Sequence, residues 1–217
     1  MTKQFGVIGL GRFGSSVAIT LEKLGYQVLA IDKNETKIDS VKDFVTSARQ
    51  TDATDTESLK EAGINNCDVV VVAIGGDMQN SILTTIVLKE MGIKRIIVKA
   101  SNAMHGKVLE KIGVEKIVYP EKDTGIRVAH QLVSTNILDF IQISNDYSME
   151  EIKISDFLKG KTLKEMNLRK KYDIEVLAIK RGEKLILIPN AEEELLINDI
   201  LIIIGKSENV REFERSF

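Results

Sequence analysis

The sequence predicts an α/β chain: a Rossmann-like, doubly wound parallel sheet, followed by a small α+β domain. Three observations predict it. Apolar runs alternate with helical patterns through the first 120 residues. A glycine fingerprint, Gly9, Gly11 and Gly14, stands directly behind the first apolar run. After Pro120 the alternation gives way to a β-rich stretch. At 217 residues the chain has room for one large domain, or one medium and one small domain.

Each element has its own signal. "QFGVIG" is a short strand, and residues 12–24 carry apolar positions at helical spacing until Gly25 stops the helix. "QVLAID" is the second strand, a helix follows from Asn34, and "FVTSARQ" reads as the third strand. "TDTE" at 54–57 reads as a capping box that opens the next helix at Thr54. "DVVVVAIGG" is apolar throughout, as a strand covered on both faces should be. A helix through Met91, the strand "RIIVKA", a helix to Ile112 and the strand "EKIVYP" complete six strands. The handedness rule for crossovers then makes the sheet parallel. Residues 123–139 read as one longer helix. "FIQIS", "MEEIKIS", "EVLAIKRGEKLILIP" and "DILIIIG" read as strands, with a hairpin turn at "KRGEK". A short helix at "TLKEM" and a last one from Ser207 to Phe217 complete the pattern. The domain boundary is placed at 137/138, the long helix staying with the first domain. A second part as small as 138–217 makes docking or dimerisation plausible.

Bulk composition excludes several classes. Hydrophobic residues are 43% and charged residues 29%, an ordinary globular balance. A net charge of -2 gives no electrostatic case for nucleic acid. Cys67 is the only cysteine, so no intrachain disulfide forms and a reducing compartment fits. The N-terminus has no signal-peptide layout. The most apolar runs are too short to span a bilayer, so any membrane role comes through a partner.

The fingerprint points to a nucleotide, because it follows a strand, opens a helix and is answered by Asp32, 18 residues beyond Gly14 at the end of the next strand. Gly9 makes the tight turn, Gly11 lets phosphates approach the backbone, and Gly14 lets helix pack on strand. Asp32 takes ribose hydroxyls and repels a 2′-phosphate, or caps the next helix, a role Asn34 also fills. Phe13 and Lys33 flank these positions. Further candidates lie where strands end, the ligand edge of such a sheet: Asp52, Ala53 and Thr54, then Ile74, Gly75, Gly76 and Asp77, then Lys99. Each has a plain alternative as a cap or a solvated charge. Arg12 stands inside the fingerprint. A guanidinium there suits terminal phosphates, as in ATP or ADP, better than the bridging phosphates of a dinucleotide; the alternative is a solvent-facing arginine. A dehydrogenase needs a placed acid or base, and the only histidines, His105 and His130, fall in helix patterns away from the fingerprint. A bound nucleotide without chemistry reads as sensing rather than as catalysis.

"VIGLGRFGSSVA", "AID", "DATD", "VVVAIG", "VKA" and "VYPE", then "LKGKTLKEMNLRKKYDIEVLAIKRGEK" and "LLINDILIIIG", carry a full-length resemblance. The chain resembles the cytosolic regulatory subunits of Ktr/Trk potassium transporters, RCK (KTN) proteins of the KtrA type. The resemblance implies an octameric ring, a tetramer of dimers, lying at the inner face of the membrane under a KtrB-like potassium-conducting subunit. It implies that ATP and ADP compete for the first domain, ATP favouring the open ring shape and ADP the closed one. Arg12 then reaches the terminal phosphate across the dimer interface, and the long helix builds dimer contacts. Glu121 matches a position that helps hold Mg2+ or another divalent cation near the phosphates; its alternative is a first-turn helix acid. Some relatives bind cyclic di-AMP in the second domain, where Arg169 would meet a phosphate and Ile174, Val176 and Pro189 would flank a base. Asp173 and Glu175 are not what an anionic ligand prefers. The competing readings are an NAD(H)-binding redox sensor, an NAD-dependent oxidoreductase, and the sensing part of another channel type.

Overall fold

A computed structural model describes residues 3–133, 137–144 and 146–216. The chain divides into two compact units between Glu121 and Lys122. The first opens with β1 (Gln4–Ile8), α1 (Arg12–Lys23), β2 (Gln27–Asp32), α2 (Glu35–Asp39), β3 (Ser47–Gln50) and α3 (Thr56–Ala62). It continues with β4 (Val69–Val72), α4 (Met78–Glu90), β5 (Ile96–Lys99), α5 (Ala103–Ile112) and β6 (Lys116–Val118). The six strands are parallel in the order β3-β2-β1-β4-β5-β6.

Alternation along the strands assigns each side chain to one of two cores. Ile8, Val70, Val72, Ile96 and Val98 pack with Leu59, Leu88 and Leu109 on one face. Val7, Val28, Ala30 and Val71 pack with Ala18 and Ile38 on the other. A sheet so covered exposes only its strand ends, and the reversal of strand order between β1 and β4 opens a crevice at the carboxyl ends.

Short polar caps start most helices. Asn34, Asp77 and Asn102 accept from the backbone of Thr36, Asn80 and His105. The cap of α3 is Asp55, which accepts from Ser58 N, not Thr54. The expected capping box does not form and the cap falls one residue later, because the Thr54 N–H and hydroxyl both donate to Asp52 instead. The α2 helix is only five residues long.

α6 (Pro120–Val133) begins at a proline, which suits the first turn of a helix. It starts three residues before the expected position and does not run to 139, because Ile137–Gln142 is strand β7. Pairing of β7 with β8 (Tyr147–Lys153) overrides local helical spacing there. Residues 134–136, within the expected helix, lie outside the described residues. Ile126 of α6 packs on the core of the second unit, so the division falls earlier than the 137/138 boundary read from sequence.

The second unit continues with α7 (Leu163–Met166), α8 (Leu168–Tyr172), β9 (Ile174–Arg181), β10 (Lys184–Leu187), β11 (Ile200–Lys206) and α9 (Ser207–Glu214). Its antiparallel sheet has the order β10-β9-β11-β8-β7. Phe140, Ile152, Ile179, Leu201 and Ile203 pack with Leu195, Val210 and Phe213 to form its core. A true capping box, Thr162 with Glu165, opens α7. The sequence reading missed α8, which is set off by two non-glycine residues with left-handed backbone, Asn167 and Asp173. Phe217, the expected end of the last helix, lies outside the described residues. Among the described residues no helix is long and apolar enough to cross a membrane.

Candidate functional site

The crevice holds a cavity of about 500 Å³ at the carboxyl ends of the parallel strands. Gly9, Gly11, Arg12 and Phe13 line it from the β1–α1 turn, and Asp32 and Lys33 from the end of β2. Asp52, Ala53 and Thr54 follow β3, Ile74 and Gly75 follow β4, Lys99 ends β5 and Glu121 opens α6. Gly14 does not line the cavity. A Cβ there would collide with the Gly9 carbonyl oxygen and stand 3.0 Å from Ala73 Cβ, so its place is the helix–strand contact. Gly9 has φ +92° and would bring a Cβ to 2.9 Å from the Ala73 backbone. Gly11 has open space where a Cβ would point, so the protein's own packing does not demand a glycine there.

Gly11 is the N-cap of α1 and supplies no side-chain cap. The first turn of a twelve-residue helix, Gly11, Arg12 and Phe13, therefore borders the cavity with no side-chain cap on its amides, an arrangement that favours anions. Arg12 is exposed and has no ion-pair partner among the described residues. The Asp32 carboxylate is 6% exposed and held by three donors: Leu10 N at 2.7 Å, Asn34 N at 2.9 Å and Lys37 Nζ at 3.1 Å. Lys37 reduces the negative charge on which rejection of a 2′-phosphate was argued. Asp52 Oδ1 accepts from Thr54 N and Thr54 Oγ1, and these bonds hold its carboxyl below the usual range.

Lys99 is not the solvated charge of its plain alternative reading. Its side chain is 12% exposed and its ammonium bonds Glu121 Oε1 at 2.5 Å. That bond holds the Glu121 carboxyl below its ordinary range. A Cβ on Gly75 would meet Lys99 Nζ at 3.0 Å and Cε at 3.3 Å, so Gly75 leaves room for the lysine stem.

Gly76 and Asp77 after β4 also line the cavity, and so do Lys37, Thr51, Asn80 and Thr84, which were not among the sequence-derived candidates. The signal for the helical ones was present: Asn80 and Thr84 lie three and seven residues beyond the Asp77 cap, on one helix face. Thr84 is fully buried and its hydroxyl has no partner among the described residues.

Residues 5–120 match the TrkA-N domain and residues 149–217 the TrkA-C domain. The chain belongs to the TrkA-N/TrkA-C family, as a KtrA-type RCK subunit. It is 45% identical over 99% of its length to Ktr system potassium uptake protein C of Bacillus subtilis (strain 168), covering 97% of that protein. It is 42% identical over 98% of its length to Ktr system potassium uptake protein A of the same organism, covering 96% of that protein. The RCK domain of GsuK shares the fold at a TM-score of 0.55 and 23% identity, over 99% of this chain and 46% of that one.

Glu121 is engaged by Lys99, and no group of three or more His, Cys, Asp or Glu that could hold a metal occurs among the described residues. His105 is fully buried against Ser101, and the side chain of His130 lies outside the described residues. In the TrkA-C domain, Arg169 pairs with Glu175 at 3.1 Å. Ile174 is 1% exposed and belongs to the core, the plain alternative for that position. Val176 is half-buried against the same core, and Pro189 is half-buried beyond β10.

Proposed function

We propose that the chain is a cytosolic, non-enzymatic sensor subunit that regulates a membrane potassium transporter. ATP and ADP compete for the crevice of the TrkA-N domain, ATP favouring the open state of the pore and ADP the closed one. The observation that carries the nucleotide reading is the uncapped start of α1, with an unpaired, exposed Arg12 beside it. The family membership, at 45% identity to a Ktr protein, supports the potassium partner. The assembly in this reading is an octameric ring, a tetramer of dimers, docked on the inner face of a potassium-conducting subunit. Glycines and backbone amides serve the phosphates common to both nucleotides. A ligand shifts a two-state ring only by its differential affinity for the two shapes, and the terminal phosphate supplies that difference.

The test is a competition titration of ATP, ADP and NADH on the nucleotide-stripped protein, with and without magnesium. Preference for ATP and ADP over NADH is expected. Tight NADH with weak ATP would replace this reading with a redox sensor.

A further inference from the structure

We propose that Lys99 is a cation shared between Glu121 and the bound nucleotide, so that a ligand phosphate takes the ammonium and releases Glu121 and with it the first turn of α6. This rests on the reading of the crevice as a nucleotide site. The pair is asymmetric. Lys99 is 12% exposed, with its stem laid over Gly75 and its ammonium 5.9 Å from the centroid of the Phe13 ring. Glu121 is 72% exposed. The cation is therefore fixed inside the cavity, whereas the carboxylate is free to leave into water.

The position of the ammonium decides what competes for it. Phe13 belongs to the first turn of α1, so Lys99 borders the cavity beside the uncapped start of that helix. An anion seated on those amides finds a second positive group there already. A phosphate group carries more charge than one carboxylate and meets the ammonium where water is partly excluded. An ion pair with one mostly exposed partner is weak, so breaking it costs little. The carboxylate set free is residue 121, at the start of the helix that continues into the second unit. Ligand charge is thereby converted into a change at the head of α6.

A double-mutant cycle on the full chain, with ADP as probe and divalent cations removed, tests this. Glu121→Gln is expected to tighten ADP two- to fivefold, the scale of a mostly exposed ion pair. Lys99→Met is expected to weaken it about tenfold. In the Lys99→Met background, Glu121→Gln is expected to change nothing; Lys99→Gln serves the same purpose if the methionine variant does not fold. Equal tightening in both backgrounds would mean that Glu121 merely repels the ligand, and would overturn the exchange. So would weaker or unchanged ADP binding by the single variant Glu121→Gln, whatever Lys99 variants do. Absence of ADP binding by the unaltered chain would remove the nucleotide reading and the exchange together, whereas binding without coupling removes the exchange alone.

Discussion

Arg12 occupies a position where a side chain answers to the ligand rather than to the protein. It is exposed and lines the cavity without an ion-pair partner among the described residues, so no internal bond must be broken for it to reach a phosphate. A charge-assisted hydrogen bond is worth about 1.5–3 kcal/mol, so Arg12→Ala is expected to weaken ATP at least tenfold. ADP affinity is expected to stay within about twofold, because the α1 amides and glycines serve it. Equal losses for both nucleotides, measured by titration, would show that Arg12 grips the shared phosphates. His105 presents the opposite case, a polar side chain that answers only to the protein. Ser101 N–H donates to its Nδ1 at 3.3 Å, which leaves the proton on Nε2, buried and without a partner among the described residues. Desolvation holds its pKa below the ordinary 6.5. Below that value the unfolded chain takes up a proton that the folded chain refuses, so stability falls as pH drops and the contribution is full above it. The His105→Gln variant is expected to lose less stability than the parent between neutral pH and about pH 5.5, by denaturant titration. Comparison at matched pH matters, because buried Glu150, held above its ordinary range, slopes the other way. A pH dependence identical in variant and parent would show that His105 already takes a proton in the folded chain.

Among the elements of the second unit, the segment between β10 and β11 has no helix or strand of its own; backbone bonds to Gly160, Lys161, Leu163 and Lys164 hold it, and one side chain gathers its far end. Arg181 grips Asp199 with two bonds, Nε at 2.9 Å and a terminal nitrogen at 2.8 Å, and also bonds Glu193 and the carbonyl of Glu194. Asp199 is 1% exposed and accepts in addition from Leu196 N. Without Asp199 the half-buried Arg181 keeps Glu193 and the Glu194 carbonyl but loses two charge-assisted bonds, and Leu196 N loses its acceptor, so Asp199→Ala is expected to cost about 2 kcal/mol, read as a lower denaturation midpoint. A loss under about 1 kcal/mol would mean that Arg181 finds water instead. Nothing in the sequence announced this pair, since eighteen residues separate its members. The first unit was far more legible. Its strands are continuous apolar runs and its helices are bounded by glycines and short polar caps, signals confined to a few neighbouring residues. The sequence failed where distant pairing decides. "FIQIS" read as a strand, but "ILD" carries no breaker against the preceding helix, and only pairing with β8 carries the strand back to Ile137. The site divides in the same way. The fingerprint glycines and Asp32 stood out by spacing, whereas the Lys99–Glu121 bond and Lys37 beside Asp32 exist only once the strands are in order.

On the scale of the whole chain, the residues proposed to hold nucleotide all lie in the unit ending at Glu121, and the core of the unit from Lys122 contains none of them. A ligand stabilises only what binds it. At a hundred times its Kd it adds about 2.7 kcal/mol to the state that holds the site. Two units with separate cores are expected to melt as two transitions, since two-state behaviour belongs to single domains. Saturating ADP should therefore raise the transition of the first unit by several degrees and leave that of the second in place, by calorimetry of the full chain. If ADP moves both transitions together, the binding energy reaches the second core, and the route is α6, whose head is Glu121. Glu121→Gln then becomes the deciding variant. Loss of the shared shift on that substitution would make the Lys99 exchange the carrier of the coupling, and persistence of the shift would assign it to packing elsewhere along the helix.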